Sequence, residues 1–504
     1  MDDSPQLPGD GATTMPVPGF ADLHTHQMGE YAYAGAWYWG SHAGPESEAL
    51  SPCSGGSALG GDHARTKLGP LTEFLGKIPG TTGDTGLHKH RTTGFPYYTG
   101  WPRWDAIAHQ PVWEGHLRQA FDGGLRIYGM SAVNFEPLCN AMPEANRKEG
   151  RTCNDMEAVD IELTAIHQFV EERDWLEIAL SPADARRIIN SGKLAVILSI
   201  EVTNLFGTDD WRSALEHYYE LGVRSLQLGH QLDNRFTGVA PHHWIFKVFE
   251  LLETGSAFDL DEQGHNLKGL TDEGKALMAA LMDKGMLVDI SHLSEKAVGD
   301  TYNIAQARGY YPLVLSHGHF RSIMTDEKQK EEKTTPDWII GVIRETGGMV
   351  GLRSGPEQVK TYTHADVPND CDGSTKSFAQ AYQYGVKGLK VDVGFASDFM
   401  GFMQQLRPRL GVPGETCGAS DDSARVAAQA AVQDMPLGTE LDDRGFGHIG
   451  LEPDIIAELK NFGVDTTILE TSAERLIRVW ERCLDPNRTG PLPTADIDTS
   501  GIEN

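Results

Sequence analysis

Residues 271–317 read TDEGKALMAALMDKGMLVDISHLSEKAVGDTYNIAQARGYYPLVLSH, and two periods alternate in them. Thr271–Lys284 carries apolar residues at helical spacing, Leu287–His292 (LVDISH) is a short apolar run, Ser294–Arg308 is helical again, and Pro312–His317 (PLVLSH) is a second run. Short, near-continuously apolar runs alternating with helices are the pattern of parallel strands covered on both faces. The same run recurs at Phe20–His26, Leu125–Val133, Leu194–Glu201, Ser225–His230, Gly348–Ser354 and Val393–Asp398. Further helices are expected at Glu157–Glu172, Pro182–Ser191, Trp211–Leu221 and Pro336–Glu345. Eight such strands predict an α/β fold, a closed (β/α)8 barrel of the TIM type.

Six of the eight runs finish on an ionisable side chain: His24 and His26, Glu201, His230, His292, His317 and Asp398. In such a barrel the C-terminal strand ends converge on one mouth, where catalytic groups sit. His24 and His26 are two apart in a strand and share a face, so both imidazoles can reach one ion. Glu201 offers a carboxylate that can bridge two ions about 3.5–4 Å apart. Asp289, on the opposite strand face from His292, is expected to point away from the barrel interior and to serve the structure.

Gln27–His116, rich in Gly, His, Trp and Tyr, reads as a long insertion after strand one. Residues 234–270 and 399–447 read as further loop insertions at the mouth. One domain is therefore expected over 20–484, preceded by an extension (1–19) and followed by a polar, poorly packed tail (485–504). The aromatic cluster Tyr31, Tyr33, Trp37, Tyr38 and Trp39 is expected to pack the first insertion onto the barrel. His88, Lys89 and His90 read as solvated loop residues, and His42, His63, His109 and His116 are not expected to touch substrate.

With 43 basic and 72 acidic residues the net charge is -29, which would repel a phosphate backbone, so nucleic acid is not an expected partner. A mean hydropathy of -0.36 and short apolar runs exclude a membrane-spanning helix. No signal peptide is visible at the N-terminus. The six cysteines form no CxxC pair, and five of them fall in loops. Disulfides are expected at 139–153 and 371–417, and with them a secreted or periplasmic setting in preference to the cytoplasm.

GLTDEGKALMAALMDKGMLVDISHLSEKAV (269–298), PLVLSHGHFRSI (312–323), GFASDFMGF (394–402) and ILETSAERLIRVWE (468–481) together resemble segments of the membrane (renal) dipeptidase family of zinc metallopeptidases, within the amidohydrolase superfamily. The resemblance covers about 170–485 and the first strand. It implies two zinc ions per chain, with His24 and His26 on one, His292 and His317 on the other, and Glu201 bridging. It implies that His230 contacts substrate and stabilises the tetrahedral intermediate, and that Asp398 handles the proton of the attacking water. The implied substrate is a small dipeptide-like amide, and a homodimer is compatible with the family. Two departures stand out: the family has His-x-Asp where this chain has His24-Thr25-His26, and Lys333 stands where an Arg holds the substrate carboxylate. Lys is a point charge and not a fork, so Arg321 or Arg353 is an alternative anchor. The competing enzyme readings are a lactonase or an acyl amino-acid deacylase. A catalytically inactive barrel with a binding role is disfavoured by the intact ligand set.

Overall fold

Eight parallel strands close on one another in a computed structural model of the chain. Residues 15–492 and Ile502 are described, apart from 53–93, 410–440 and short stretches at 97, 99–101, 106–108, 142–143, 145–146, 243, 328–329 and 442–443. The strands are β1 (Phe20–Thr25), β2 (Leu125–Asn134), β3 (Leu176–Ile178), β4 (Leu194–Val202), β5 (Val223–Gln227), β6 (Leu287–Asp289), β7 (Leu313–Gly318), β8 (Met349–Arg353) and β9 (Asp392–Ala396). The ring runs β1-β2-β4-β5-β6-β7-β8-β9 and returns to β1. The fold is a (β/α)8 barrel, and every expected run overlaps a barrel strand. The short β3 was not expected; it pairs only with the start of β4, outside the ring.

Helices follow the strands because capping and apolar spacing agree locally. Asp272–Asp283 begins at Thr271, whose hydroxyl accepts the Gly274 N–H, and it buries Leu277, Met278, Leu281 and Met282 on one face. Glu295–Ala307 begins at Ser294, whose hydroxyl accepts the Ala297 N–H. All six expected helices are present within two residues. Glu114–Asp122 and Thr375–Gln383 escaped the periodicity reading. The second is buried at every position except Lys376, yet its face is built from Ser, Ala, Gln and aromatic residues, so no aliphatic stripe marks it.

The C-terminal helix Ser472–Leu484 packs on the barrel at the N-terminal strand ends. Ser472 Oγ accepts the Ala21 N–H at 2.8 Å, Glu474 accepts the Val17 N–H at 2.9 Å, and Leu476 lines the barrel interior with Leu23 and Leu287. The start of the tail is not loose: Arg488 donates to the carbonyls of Arg308 and Cys483 and lies over the Tyr311 ring. Arginine accounts for this, since one planar fork can satisfy several carbonyls that would otherwise face water.

Cys139 and Cys153 form a disulfide with a Cα–Cα distance of 5.4 Å. Cys371 is also disulfide-bonded, while Cys417, its expected partner, lies outside the described residues. A 14-residue separation restrains the unfolded chain by roughly 3 kcal/mol. The double variant Cys139→Ser/Cys153→Ser should lose about that much stability in urea unfolding; an unchanged midpoint would show that the closed loop does not restrain the unfolded state.

Candidate metal centre

Glu201, near the end of β4, is 2% exposed, and its two oxygens face different sets of histidines. Oε2 lies 2.8 Å from His24 Nε2 and 3.3 Å from His26 Nε2. Oε1 lies 2.9 Å from His292 Nε2, 3.5 Å from His230 Nε2 and 3.6 Å from His317 Nε2. Asp398 Oδ1 joins the first set, 3.3 Å from His26 Nε2 and 3.9 Å from His24 Nε2. His292 and His317 face each other at 2.8 Å through Nε2.

The sequence reading placed all these residues at strand ends, and the structure brings them all together. It does so by two routes. His24, Glu201 and His317 lie within strands, whereas His26, His230, His292 and Asp398 follow the last ladder residue by one to three positions. His292 and Asp398 adopt positive φ, 63° and 49°, so each side chain is aimed by a turn. Room for Asp398 comes from Gly401, where a Cβ would sit 2.0 Å from Asp398 Oδ1.

The turn at His292 also corrects the expectation for Asp289. Strand β6 ends at Asp289, so alternation does not carry through to His292; Asp289 shares the inward face of Leu287, which lines the barrel interior. Its role is structural all the same. Oδ1 accepts Ser291 N–H at 3.0 Å, Ser291 Oγ–H at 2.7 Å and Ser316 N–H at 3.1 Å.

The outer nitrogens fix the rings. His26 Nδ1 donates to the Ser131 carbonyl at 3.1 Å, and Ser316 Oγ sits 3.3 Å from His24 Nδ1 and 3.0 Å from His317 Nδ1. These partners turn the Nε2 atoms inward, the usual arrangement around a ligated ion. Ser131, Ser316 and Gln231, whose amide is 2.7 Å from His230 Nε2, were missed in the sequence. The Ser-His pair recurring at Ser291-His292 and Ser316-His317 was the available signal.

Electrostatics suit a cation. Burial would raise the Glu201 carboxyl, but the imidazoles of His230, His24 and His317 hold it well below its ordinary value. Burial lowers His230, His292 and His317, keeping them in the neutral form that ligates metal. Burial opposes a charge on His24 as well, yet Glu201 outweighs it and pushes that imidazole up to about 9. Positive charge is therefore favoured beside Glu201, and the grouped ligand atoms lie within 4.8 Å of one another. The donor set, imidazole nitrogen plus carboxylate oxygen, fits zinc.

Lys333 is half-buried near this cluster, and burial followed by the neighbouring Arg353 lowers its ammonium to about 8. No carboxylate among the described residues pairs with it. Arg321 is placed differently: Nε and Nη2 donate to the carbonyls of Thr334 and Glu332, and Nη1 pairs with Glu295 at 2.7 Å. It braces the loop that carries Lys333. Arg353 is held by Glu357 at 2.7 Å. Tyr33, Trp37 and Tyr38 are buried and pack around Phe402 at ring distances of 4.7, 4.5 and 5.5 Å, joining the first insertion to the loop after β9. His42 pairs with Glu30, and His116 stacks on His448; His63, His88, Lys89 and His90 lie outside the described residues.

A family model described as membrane dipeptidase (peptidase family M19) matches residues 139–407, more than half of the chain. His24 and His26 fall outside that span and enter the site through the fold. Dipeptidase tcpJ of Claviceps purpurea (strain 20.1) is 25% identical over 342 residues, which cover 64% of this chain and 68% of the relative. Dipeptidase aclJ of Aspergillus oryzae (strain ATCC 42149 / RIB 40) is 27% identical over 247 residues, 48% of this chain and 49% of the relative. Among solved structures, the probable dipeptidase PvdM from Pseudomonas aeruginosa is similar over 73% of this chain and 88% of its own, with 18% identity and a TM-score of 0.50. That likeness speaks to the fold.

Proposed function

Because the chain belongs to the membrane dipeptidase family, peptidase family M19, we propose that it is a binuclear zinc hydrolase cleaving the amide bond of a dipeptide or similar small N-acyl amino acid. The observation that carries this reading is the division of Glu201, with one oxygen facing His24 and His26 and the other facing His292 and His317. His24 and His26 would hold one zinc, His292 and His317 the other, with Glu201 between them. Zinc held by these residues would supply the acidification of a water and the polarisation of the scissile carbonyl.

The protein's own groups do the rest. Asp398 takes the proton of the attacking water and returns it to the departing amine. His230 stands on the Oε1 side of Glu201, away from Asp398, and meets the charge developing on the substrate oxygen. Lys333, paired with no carboxylate among the described residues, anchors the terminal carboxylate of the substrate.

Purified protein should hold up to two zinc equivalents per chain and hydrolyse members of a dipeptide panel, and His292→Ala or His317→Ala should lose about one equivalent. A folded protein without affinity for zinc, or a zinc-loaded one inert toward every dipeptide, would remove the reading. Lys333→Ala should raise KM about tenfold or more for dipeptides with a free carboxylate and little for their amides, as expected when one charge-assisted contact is lost. Equal effects on both would pass the anchoring role to Arg353.

A further inference from the structure

Beneath the candidate metal centre lies a pair of buried carboxyl groups that the mechanism does not use. Asp22, on β1, is fully buried and ties two strand ends together. Its Oδ1 accepts the backbone N–H of His24 and of Ser397, both at 3.1 Å. Its Oδ2 accepts the hydroxyls of Thr25 at 3.1 Å and Ser397 at 2.5 Å. Ser397 immediately precedes Asp398, so one carboxylate fixes the backbone at His24 and next to Asp398. A reciprocal bond from Asp398 N–H to the His24 carbonyl at 2.9 Å completes the clasp.

Glu452, which opens the helix Glu452–Asn461, is also fully buried and faces Asp22 within hydrogen-bond reach. No donor among the described residues reaches either of its oxygens. Two buried carboxylates with no cation between them would repel, and an unpaired buried charge is costly. The arrangement is satisfied when Glu452 carries a proton and donates it to Asp22. Burial and the facing Asp22 push the Glu452 carboxyl well above its ordinary range, in keeping with that assignment.

We propose that Asp22 and Glu452 are positioning residues: Glu452 donates a hydrogen bond to Asp22, and Asp22 holds the β1 and β9 ends so that His24, His26 and Asp398 converge on one metal ion. The role rests on the metal centre proposed above. Asp22 and Glu452 both lie outside the span matched by the family model. Outer groups that orient metal ligands typically contribute 10–100-fold to affinity.

The test uses the full chain, stripped of metal and titrated with zinc against a chelator, with the visible spectrum after cobalt(II) loading as a second readout. Asp22→Asn puts an amide where an acceptor of several N–H and O–H groups is required; it should weaken zinc binding about tenfold or more and alter the cobalt spectrum. Glu452→Leu removes the donor and should do the same. Glu452→Gln keeps a donor of the same shape and should bind zinc within about threefold of wild type, with a wild-type cobalt spectrum. Wild-type affinity in Asp22→Asn or Glu452→Leu would overturn the positioning role, as would a Gln variant as poor as the Leu variant. If Asp22→Asn does not fold, the contrast between the two Glu452 variants decides. Absence of zinc binding in the wild type would overturn the metal centre and this role with it.

Discussion

Glu201→Gln should abolish binding of both proposed zinc ions and lower turnover on the order of 10³-fold or more. The side chain keeps its volume, but the charge between the two histidine sets disappears, and one end becomes an N–H₂ group aimed at imidazole nitrogens 2.8–3.6 Å away. An amide N–H₂ cannot ligate a cation, so whichever set it faces loses a ligand outright, and the other loses the charge that balanced it. Metal analysis of the dialysed variant should give well under one zinc per chain. Loss of a single equivalent, with the other retained at wild-type affinity, would show that Glu201 serves one ion and does not bridge.

Asp398→Asn should leave more than one zinc bound while turnover falls by about 10²–10⁴-fold, the usual contribution of a positioned general base. The substitution is clean for a conformational reason. Asp398 sits at φ 49°, and asparagine occupies the left-handed region as readily as aspartate, so the turn persists and only the charge changes. A capping role is the competing account for an Asp beyond a strand, but no backbone N–H among the described residues donates to this carboxylate; its oxygen faces His26 and His24 instead. Turnover near wild type would defeat the assigned chemistry while leaving the ligand set standing.

The strands were legible because a sheet covered on both faces leaves no polar alternation to hide them, and the site because ionisable groups stood where apolar runs stopped. What could not be read was how far the ladder extends. The run LVDISH looks like one strand, yet pairing ends at Asp289, whose carboxylate takes the N–H groups of Ser291 and Ser316 and turns the chain toward His292. Alternation arguments fail at such a point, and Asp289 faced inward against expectation. Helix Thr375–Gln383 was invisible for a different reason: its buried Gln380 is satisfied by the Tyr362 N–H and the Val367 carbonyl of the preceding loop, which composition cannot reveal. The role of Arg321 was equally hidden, since a guanidinium committed to Glu295 and two carbonyls looks the same in sequence as one waiting for substrate.

The clasp between the two ends of the barrel has a temporal side. Ala21 and Ser472 are 451 positions apart, and Asp22 and Ser397 are 375 apart. Contacts so remote in sequence form late, because loop closure must be completed before they contribute. On a ribosome adding about 5–20 residues per second, the first strand waits tens of seconds for the last one. His24 and His26 therefore emerge long before Asp398, and their half of the proposed centre can assemble only after Asp398 has followed them. Any ion that the nascent histidines met before then would be held weakly, since ligands that have not yet converged bind poorly.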